Sequence, residues 1–167
     1  FAITAVTNGG TGGRPVSDGL SATAYPSGVR GTPVEINESV APLLFWRKEY
    51  LPDSGGSGRY RGGLGQVIEI ENAIGQDMEL LAAFDRIDFP ARGRAGGADG
   101  AAGRVALKQN GELQGKGCQQ IPAGDRLIIN TPGGGGFGPA PQRDRQLVRR
   151  DLANGLISHQ AAVGDYA

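Results

Sequence analysis

The stretch Asp53-Ser-Gly-Gly-Ser-Gly-Arg-Tyr-Arg-Gly-Gly-Leu-Gly65 decides the fold, because it places six glycines in thirteen positions between two apolar runs. Glycine adopts positive φ readily and lets one backbone approach another closely, at a high cost in conformational entropy. The run from Leu44 to Leu51 leads into this stretch, and the run from Val67 to Ile70 leaves it. The pattern predicts two strands joined by an elaborate, closely packed loop, and it excludes a helix between them.

Apolar and polar residues alternate with a period of two in short runs up to residue 130, which predicts about eight short strands. In the run from 44 to 51 the alternation places Leu44, Trp46 and Tyr50 on one face of a half-buried strand, with Arg47 on the other. Asn110-Gly111 predicts a hairpin turn. The predicted strands are Phe1–Thr7, Thr32–Ile36, Leu44–Leu51, Val67–Ile70, Met78–Phe84, Arg104–Lys108, Cys118–Ile121 and Leu127–Ile129.

The period changes near the end of the chain. Asp144 is placed to cap a helix that runs to Ala153, Gly155 is a natural stop, and Ser158 is placed to cap a second short helix. The predicted fold class is mainly β, with glycine-rich loops and a C-terminal α-helical hairpin; an α+β fold is the alternative. We expect residues 1–142 to form the β-rich domain and residues 143–167 a hairpin packed on it or on a partner.

Composition narrows the classes of function. The 167 residues carry 17 basic and 17 acidic side chains, so no net charge favours nucleic acid or an anionic membrane as a partner. No apolar run approaches the roughly 18 residues of a membrane span. Cys118 is the single cysteine and no signal-peptide pattern is present, so we expect a cytoplasmic protein. The chain begins with Phe1, and its one methionine is Met78, which predicts a fragment of a longer protein.

Three isolated features have ordinary structural explanations. Gly133–Gly138 fits the letters G-x-G-x-x-G, but Pro139 and Pro141 separate it from the next helix, so a tight loop is favoured over a dinucleotide site. His159, the only histidine, lies at a predicted helix start, where capping or solvent contact is favoured over catalysis. Cys118 has no local partner, and we expect a small buried thiol.

Four arginines lie on or beside glycine loops: Arg14, Arg30, Arg59 and Arg61. Guanidinium groups bind carboxylate or phosphate through a bidentate fork, so these arginines could form a pocket for an anion or an amide substrate. Alternatively they pair with Asp18, Asp53 or carbonyl groups and lock the loops, and this second interpretation is favoured. For Asp18 and Asp53, a role in forming turns is likewise favoured over a role in a binding site.

Five stretches follow one another along the chain: Asn8–Gly19, Pro26–Glu35, Phe45–Gly65, Thr131–Gly138 and the ending Arg149…Tyr166. This ordered set resembles the hydantoinase B family, which includes N-methylhydantoinase and 5-oxoprolinase B-type subunits and has acetone carboxylase-type relatives. The resemblance implies the C-terminal part of a B-type subunit of an ATP-dependent cyclic amide hydrolase, opening hydantoin or 5-oxoproline rings.

The resemblance also implies that an A-type subunit or domain binds ATP and phosphorylates the substrate's carbonyl oxygen, and that the missing N-terminal part of this subunit completes the site. ATP and a divalent metal are implied for the whole assembly, and neither is expected on this chain alone, which is predicted to be inactive. No catalytic residue transfers to this chain. The first glycine loop is the predicted contact with the active site, and its candidate substrate-binding residues are Gly9, Gly10, Gly12, Arg14, Asp18 and Gly19. The alternative is a non-catalytic structural and subunit-docking module, with Leu147, Val148 and Leu152 as an attachment face.

Overall fold

Strands make up most of the regular structure in the computed structural model, which describes residues 2–24, 26–29 and 31–167. The strands are β1 (Leu43–Tyr50), β2 (Gln66–Asn72), β3 (Met78–Ala83), β4 (Arg104–Leu107), β5 (Gly111–Glu112), β6 (Lys116–Ile121) and β7 (Arg126–Asn130). The helices are α1 (Val34–Val40), α2 (Arg145–Ala153) and α3 (His159–Gly164), with a 3-10 turn at Ala140–Gln142. The predicted fold class, mainly β with a helical C-terminus, is confirmed.

Two antiparallel sheets enclose the main core. One sheet has five strands in the order β1-β2-β7-β4-β5, and the other pairs β3 with β6. Alternation along the strands sends one side chain in two to the core, as expected for sheets with one buried face. The buried core residues are Ile68, Ile70, Val105, Leu107, Ile121, Leu127 and Ile129. Because Ile121 belongs to β6 and the others to the five-stranded sheet, the smaller sheet packs on the larger one.

The hairpin predicted at Asn110-Gly111 connects β4 to β5. Gly111 has φ +89° and pairs with Leu107 across the turn. Positive φ costs glycine little, which explains its place at this position. The predicted runs at 67–70 and 127–129 lie within β2 and β7, and the run at 78–84 corresponds to β3 except for Phe84, which lies just beyond the strand.

Two predicted strands are absent from the described residues. Thr32–Ile36 is not a strand, because Pro33 is the N-cap of helix α1. Five residues contain too little periodicity to separate the two structures, and proline is well tolerated at a helix start. Residues 2–7 form no strand either, and most of them are exposed; Phe1 lies outside the described residues.

A β-bulge in β1 changes which side chains face the core. Phe45 pairs with Ile70 and Arg47 pairs with Glu69, so Trp46 is the extra residue. The bulge puts Phe45 on the core side and Arg47 on the outer side, although two residues apart they would share a face in a regular strand. Trp46 is 51% exposed, and the ring lies 3.7 Å below the Arg126 guanidinium. The side chains of β1 that face the core are therefore not Leu44, Trp46 and Tyr50, the residues that the alternation in the sequence places on one face.

Cys118 is exposed, contrary to the expected buried thiol. It lies on β6 directly opposite Leu81 of β3, and residues opposite one another in an antiparallel pair share a face. Leu81 is 73% exposed. Both side chains therefore lie on the outer face of the two-stranded sheet, away from the core that holds Ile121.

The glycine-rich segments pack against one another as a bundle of extended chains, here called the glycine bundle: residues 9–13, 54–65, 91–101 and 131–138. Three consecutive carbonyl oxygens of the last segment accept hydrogen bonds from three different segments, at 2.8, 2.8 and 2.9 Å: Gly134 from Gly56, Gly135 from Gly13 and Gly136 from Arg94. A strand would direct successive carbonyls to two opposite sides. Three directions are expected of a threefold extended helix such as polyproline II, so residues 131–138 form the centre of the bundle.

Glycine is required in this bundle because the backbones touch where side chains would begin. A Cβ on Gly134 would lie 1.9 Å from the carbonyl oxygen of Thr11, and one on Gly62 would lie 1.9 Å from that of Gly134. Both distances are far below van der Waals contact. The bundle therefore excludes every residue except glycine at these positions, just as the crowded axis of collagen does.

The C-terminal helices form as predicted and have their own small core. The Asp144 side chain accepts a hydrogen bond from the Gln146 N–H, and the Ser158 side chain accepts one from Ala161. Both are N-caps of the expected type. Val148, Ile157 and Tyr166 are buried together. None of the helices in the described residues is long and apolar enough to cross a membrane.

Candidate functional site

Three of the candidate glycines are packing positions inside the glycine bundle. A Cβ added to Gly9 would lie 2.4 Å from the carbonyl oxygen of Pro132. A Cβ added to Gly10 would lie 1.8 Å from that of Gly63, and a Cβ added to Gly19 would lie 2.1 Å from that of Thr11. The Cα of each therefore faces protein backbone, which leaves no room there for a ligand. These half-buried glycines are packing positions that shape the first loop.

Gly12 differs from the other glycines of the first loop. It is exposed, and its nearest neighbour to an added Cβ is the Gly135 oxygen at 3.7 Å, an ordinary contact distance. The next residue, Gly13, is held by a 2.8 Å hydrogen bond from its N–H to the same oxygen. Gly12 is thus an open backbone edge on a rigidly held segment.

Asp18 fastens the first loop to the rest of the molecule. Its carboxylate accepts a hydrogen bond from the Arg61 backbone N–H at 2.8 Å and a bidentate pair from Arg143, both at 2.7 Å. Burial by itself raises the pKa of Asp18, but the hydrogen bonds and positive charge of Arg143 outweigh it and hold the pKa below the ordinary 3.8. All these partners are protein groups, so Asp18 is a clamp, as the favoured sequence interpretation expected for this turn residue.

A buried ionic network continues from Asp18 into the helices. Asp151 of α2 accepts hydrogen bonds from Arg61 at 3.2 Å and from Arg143 at 2.7 Å. The Arg143 guanidinium lies 5.9 Å from the ring centre of Tyr166, and burial raises the pKa of Tyr166 to about 12. The neighbouring carboxylates raise the pKa of Arg143 above its ordinary value, despite the opposing effect of burial. Two buried arginines and two carboxylates thus bind the first loop, the central loop and α2 together.

Sequence reasoning missed Arg143, because its partner Asp18 is 125 residues away. It did expect Arg61 to lock a loop, and Arg61 also donates to the Gly62 carbonyl oxygen at 2.7 Å. Asp53 has φ +60° and accepts a hydrogen bond from the Ser158 N–H at 2.7 Å, which joins the central loop to α3.

The other arginines of the predicted set are not brought together around a ligand. Arg14 is exposed, and its backbone forms a small bridge with Ser17. Arg59 lies 5.6 Å from the ring centre of Tyr60. Arg30 lies outside the described residues. The proposed pocket of four loop arginines is therefore not assembled from Arg14, Arg59 and Arg61.

A different set of arginines lines an open concavity of about 470 Å³ at the edge of the glycine bundle. Its cationic residues are Arg86, Arg92 and Arg94, and Gly12 of the first loop forms part of the same wall. Phe89, which is 83% exposed, also lines it. The sequence of residues 90–103 predicts a loop rich in Gly, Ala and Arg, without indicating a site. The repeated arginine at 92 and 94 was the signal that could have identified it.

The G-x-G-x-x-G letters at Gly133–Gly138 lie in the centre of the bundle. A Cβ on Gly133 would be 1.6 Å from the Ser54 carbonyl oxygen, and a 3-10 turn, not an α-helix, follows at Ala140. No α-helix therefore begins directly after this loop, where its N-terminus could hold a pyrophosphate. The loop interpretation favoured from the sequence agrees with this geometry.

A metal site was expected for the whole assembly. His159 is the exposed first residue of α3. In residues 2–24, 26–29 and 31–167, no three His, Cys, Asp or Glu side chains are grouped as a metal site requires. The described side chains do not fit a metal ion, and we derive no metal-dependent step from them.

Comparisons with known proteins place this geometry in a family. Residues 1–140 match the family described as hydantoinase B/oxoprolinase. The chain is 35% identical over 145 residues to 5-oxoprolinase of Dictyostelium discoideum, covering 84% of this chain and 11% of that protein. It is 32% identical over 142 residues to the caprolactamase beta chain of Pseudomonas jessenii, covering 80% of this chain and 24% of that protein.

Two solved structures share the fold. The crystal structure of ATP-dependent caprolactamase from Pseudomonas jessenii matches 96% of this chain with a TM-score of 0.78 and 26% identity. A nucleotide-free acetone carboxylase structure matches 95% with a TM-score of 0.73 and 23% identity, which supports the fold alone. This chain spans 29% and 26% of those two chains. The match over residues 1–140, together with these relatives, shows that the chain belongs to the hydantoinase B/oxoprolinase family.

Proposed function

We propose that this chain is the C-terminal domain of the B-type subunit of an ATP-dependent cyclic amide hydrolase that opens hydantoin or 5-oxoproline rings. In this proposal it helps to shape the active site through the open edge of the first glycine loop. The observation that carries the proposal is that Gly12, the one open glycine among the candidates, lies in the wall of the arginine-lined concavity. The named relatives act as enzymes on a cyclic amide or an oxoproline, which supports the substrate class.

Other parts of the enzyme are needed for the chemistry. The relatives are several times longer than this chain, and two of them, the caprolactamase beta chain and the B component of a putative D-/L-hydantoinase, carry names of multi-subunit enzymes. The proposed partners are the remaining part of the B-type subunit and an A-type ATP-binding subunit or domain. In the same proposal, ATP and a divalent metal belong to that assembly.

The concavity offers a physical role in ring opening. Hydrolysis of a cyclic amide develops negative charge on the carbonyl oxygen and produces a carboxylate. Guanidinium groups held at the edge of a rigid scaffold stabilise such charge better than mobile ones, because less reorganisation is needed. The glycine bundle supplies that rigidity at Arg94, since the backbone N–H and carbonyl oxygen of this residue are hydrogen-bonded to Gly136 and Gly138.

The test is a Gly12→Val substitution in the assembled enzyme. An added Cβ there meets only the Gly135 oxygen, at 3.7 Å, so the fold is expected to be retained. Because Gly12 lines the concavity, we expect the new methyl groups to enter it. We expect kcat/KM for the cyclic amide to fall at least tenfold with an unchanged unfolding midpoint. Gly164→Ala is the matched control, because an added Cβ there meets no atom within 4 Å and the residue does not line the concavity. Equal turnover for Gly12→Val and Gly164→Ala would overturn the proposal.

A second candidate function is a structural and docking module, either of such an enzyme or of a related acetone carboxylase-type complex. Phe89 and Leu81, 83% and 73% exposed, favour it as apolar contacts for a partner. The attachment face expected on α2 favours it less, because Val148 is buried against Ile157 in this chain. Hydrogen exchange separates the two: substrate-dependent protection of residues 9–19 supports the active-site role, whereas protection only on adding the partner supports docking. Turnover of a hydantoin or oxoproline by this chain alone would contradict its predicted inactivity.

A further inference from the structure

We propose that the concavity formed by Arg86, Arg92 and Arg94 binds a phosphate-class anion, either inorganic phosphate or the phosphoryl group of a small organic molecule. This inference deepens the proposed function and rests on it for the assignment of the concavity to the active site. Binding of the anion itself rests on the charge, the geometry and the available donors of these three side chains.

The first argument is charge. Three arginines line the concavity and no aspartate or glutamate does, in a chain whose basic and acidic residues balance at 17 each. The local excess of positive charge is therefore a property of this site and does not follow from a basic protein. A concave surface lined by one sign of charge concentrates its field and attracts ions of the opposite sign.

The second argument is that the guanidinium donors are available. Among the described residues, the side chains of Arg86, Arg92 and Arg94 make no hydrogen bond or ion pair, whereas Arg61 and Arg143 are committed to buried carboxylates. The acids next to the three arginines have other partners. Asp85 is paired with Lys116 at 2.7 Å, and Asp99 accepts the Gly93 N–H at 2.7 Å. Asp85 and Asp88 line the neighbouring groove, which shares Arg86 and Phe89 with this concavity, and neither acid lines the concavity itself.

The third argument is that the backbone at Arg86 and Arg94 is held in place by hydrogen bonds. The Arg94 N–H donates to Gly136 at 2.9 Å, and the Arg94 carbonyl oxygen accepts from Gly138 at 2.9 Å. Arg86 has φ +58°, a conformation that non-glycine residues rarely adopt, and its carbonyl oxygen accepts from Gly103 at 2.9 Å. Such held conformations cluster at binding sites, and a rigid base reduces the entropy lost when a ligand binds.

The ligand class follows from the donor type and the size of the site. Guanidinium groups match phosphate oxygens through two parallel N–H donors, and a doubly charged tetrahedral anion offers them more charge and more oxygens than a singly charged carboxylate does. About 470 Å³ is space for phosphate with a small organic group attached. An ATP-dependent relative such as the caprolactamase consumes a phosphoryl donor, so both free phosphate and a phosphorylated molecule are chemically available sources.

The exposed ring of Phe89 distinguishes the two sources. It lines the same concavity as the arginines, so it can pack against an organic group but adds nothing to the binding of inorganic phosphate. Phe89→Ala should therefore weaken the binding of phenyl phosphate several-fold and leave that of inorganic phosphate unchanged. Loss of affinity for neither probe would assign the site to inorganic phosphate alone. Equal loss of affinity for both probes would show that Phe89 acts through the fold.

The deciding experiment titrates the full chain with inorganic phosphate, phenyl phosphate and acetate at constant ionic strength, following backbone amide signals by NMR. Shifts at residues 12, 86 and 92–94 that saturate with phosphate but not with acetate support the proposal. The double variant Arg92→Gln/Arg94→Gln should raise the phosphate Kd at least tenfold, because charge-assisted hydrogen bonds are among the stronger polar contacts. Arg104→Gln is the matched control, since Arg104 pairs with Glu112 and lies outside the concavity.

Equal phosphate affinity for the double variant and for Arg104→Gln would overturn the proposal, as would shifts no larger with phosphate than with acetate. If the double variant loses its amide fingerprint, the single Arg92→Lys and Arg94→Lys variants keep the charge but remove the fork, and each should still weaken phosphate binding. The outcome is separate from the test of the proposed function. Saturable phosphate binding together with normal turnover of Gly12→Val would retain the anion site and remove its assignment to the active site.

Discussion

A single added methyl group in the glycine bundle should destabilise the protein strongly. In Gly134→Ala the new Cβ would lie 1.9 Å from the Thr11 carbonyl oxygen and 2.8 Å from the Gly12 nitrogen, where ordinary contacts are 3.4–4 Å. All the nearest atoms are backbone, so no side chain can rotate away. The segment of residues 9–13 must move, and the bundle must open at its centre.

The magnitude follows from what that movement breaks. Residues 9–13 are joined to the central segment by the Gly10 bond to Pro132 at 2.9 Å and the Gly13 bond to Gly135 at 2.8 Å. Two hydrogen bonds contribute about 1–3 kcal/mol net, and overpacking adds ~1–3 kcal/mol. The smaller entropy of the unfolded alanine chain offsets about 0.5–1 kcal/mol. We therefore expect the free energy of unfolding to fall by roughly 3 kcal/mol.

Urea unfolding followed by circular dichroism measures this change. At a slope of roughly 2 kcal/mol per M, the midpoint should fall by about 1.5 M with an unchanged slope. Gly164→Ala is the control with the same chemical change, because it lies at the end of α3 with open space around it. It should be neutral or stabilising by up to about 1 kcal/mol. A Gly134→Ala midpoint within experimental error of the Gly164→Ala midpoint would refute backbone packing as the reason for glycine.

Two further predictions concern the buried ionic network. Asp151→Ala should reduce the free energy of unfolding by about 3–5 kcal/mol, because it leaves Arg61 and Arg143 with an uncompensated buried charge. The control Glu112→Ala removes an exposed ion pair and should leave the urea midpoint unchanged. Equal urea midpoints for the two variants would contradict the argument. Asp18 has a folded-state pKa below 3.8, so its contribution is present above pH 3.8 and is lost as the pH falls through the folded value. The difference in stability between the parent and Asp18→Asn should therefore be constant at neutral pH and shrink in acid titrations below about pH 3.8, and a difference that grows in acid would show the opposite sign of shift.

Local chemistry made much of the fold predictable. The side-chain caps Asp144 and Ser158 and the turn glycine Gly111 act within a few residues of their partners, so their patterns are complete in the sequence. The predictions of secondary structure failed where a short stretch of sequence is compatible with more than one structure. Helix α1 has seven residues with none buried, so no periodic pattern marks it, and the bulge at Trp46 reverses an alternation that the letters alone suggest.

The candidate site was less predictable, because it depends on contacts between segments far apart in the chain. Glycines at 10, 63 and 134 meet backbone to backbone, and backbone contacts leave no pattern of side chains to detect. The glycine count indicated close approach but could not say which segments approach one another. The pairing of Asp18 with Arg143 over 125 residues, and the position of Arg92 and Arg94 beside Gly12, both follow from that three-dimensional arrangement.

The glycine bundle also determines how mutations in the first loop must be interpreted. At Gly10 the space is filled by the backbone of Gly63, and at Asp18 the carboxylate is occupied by Arg143. Loss of activity in either variant would therefore report unfolding of the loop as readily as loss of a ligand contact. Gly12 is free of both constraints. Because a bundle packed through its backbones has no interior space for a ligand, chemistry supported by this loop must occur at its edge, and a substitution at Gly12 tests that edge without disturbing the packing behind it.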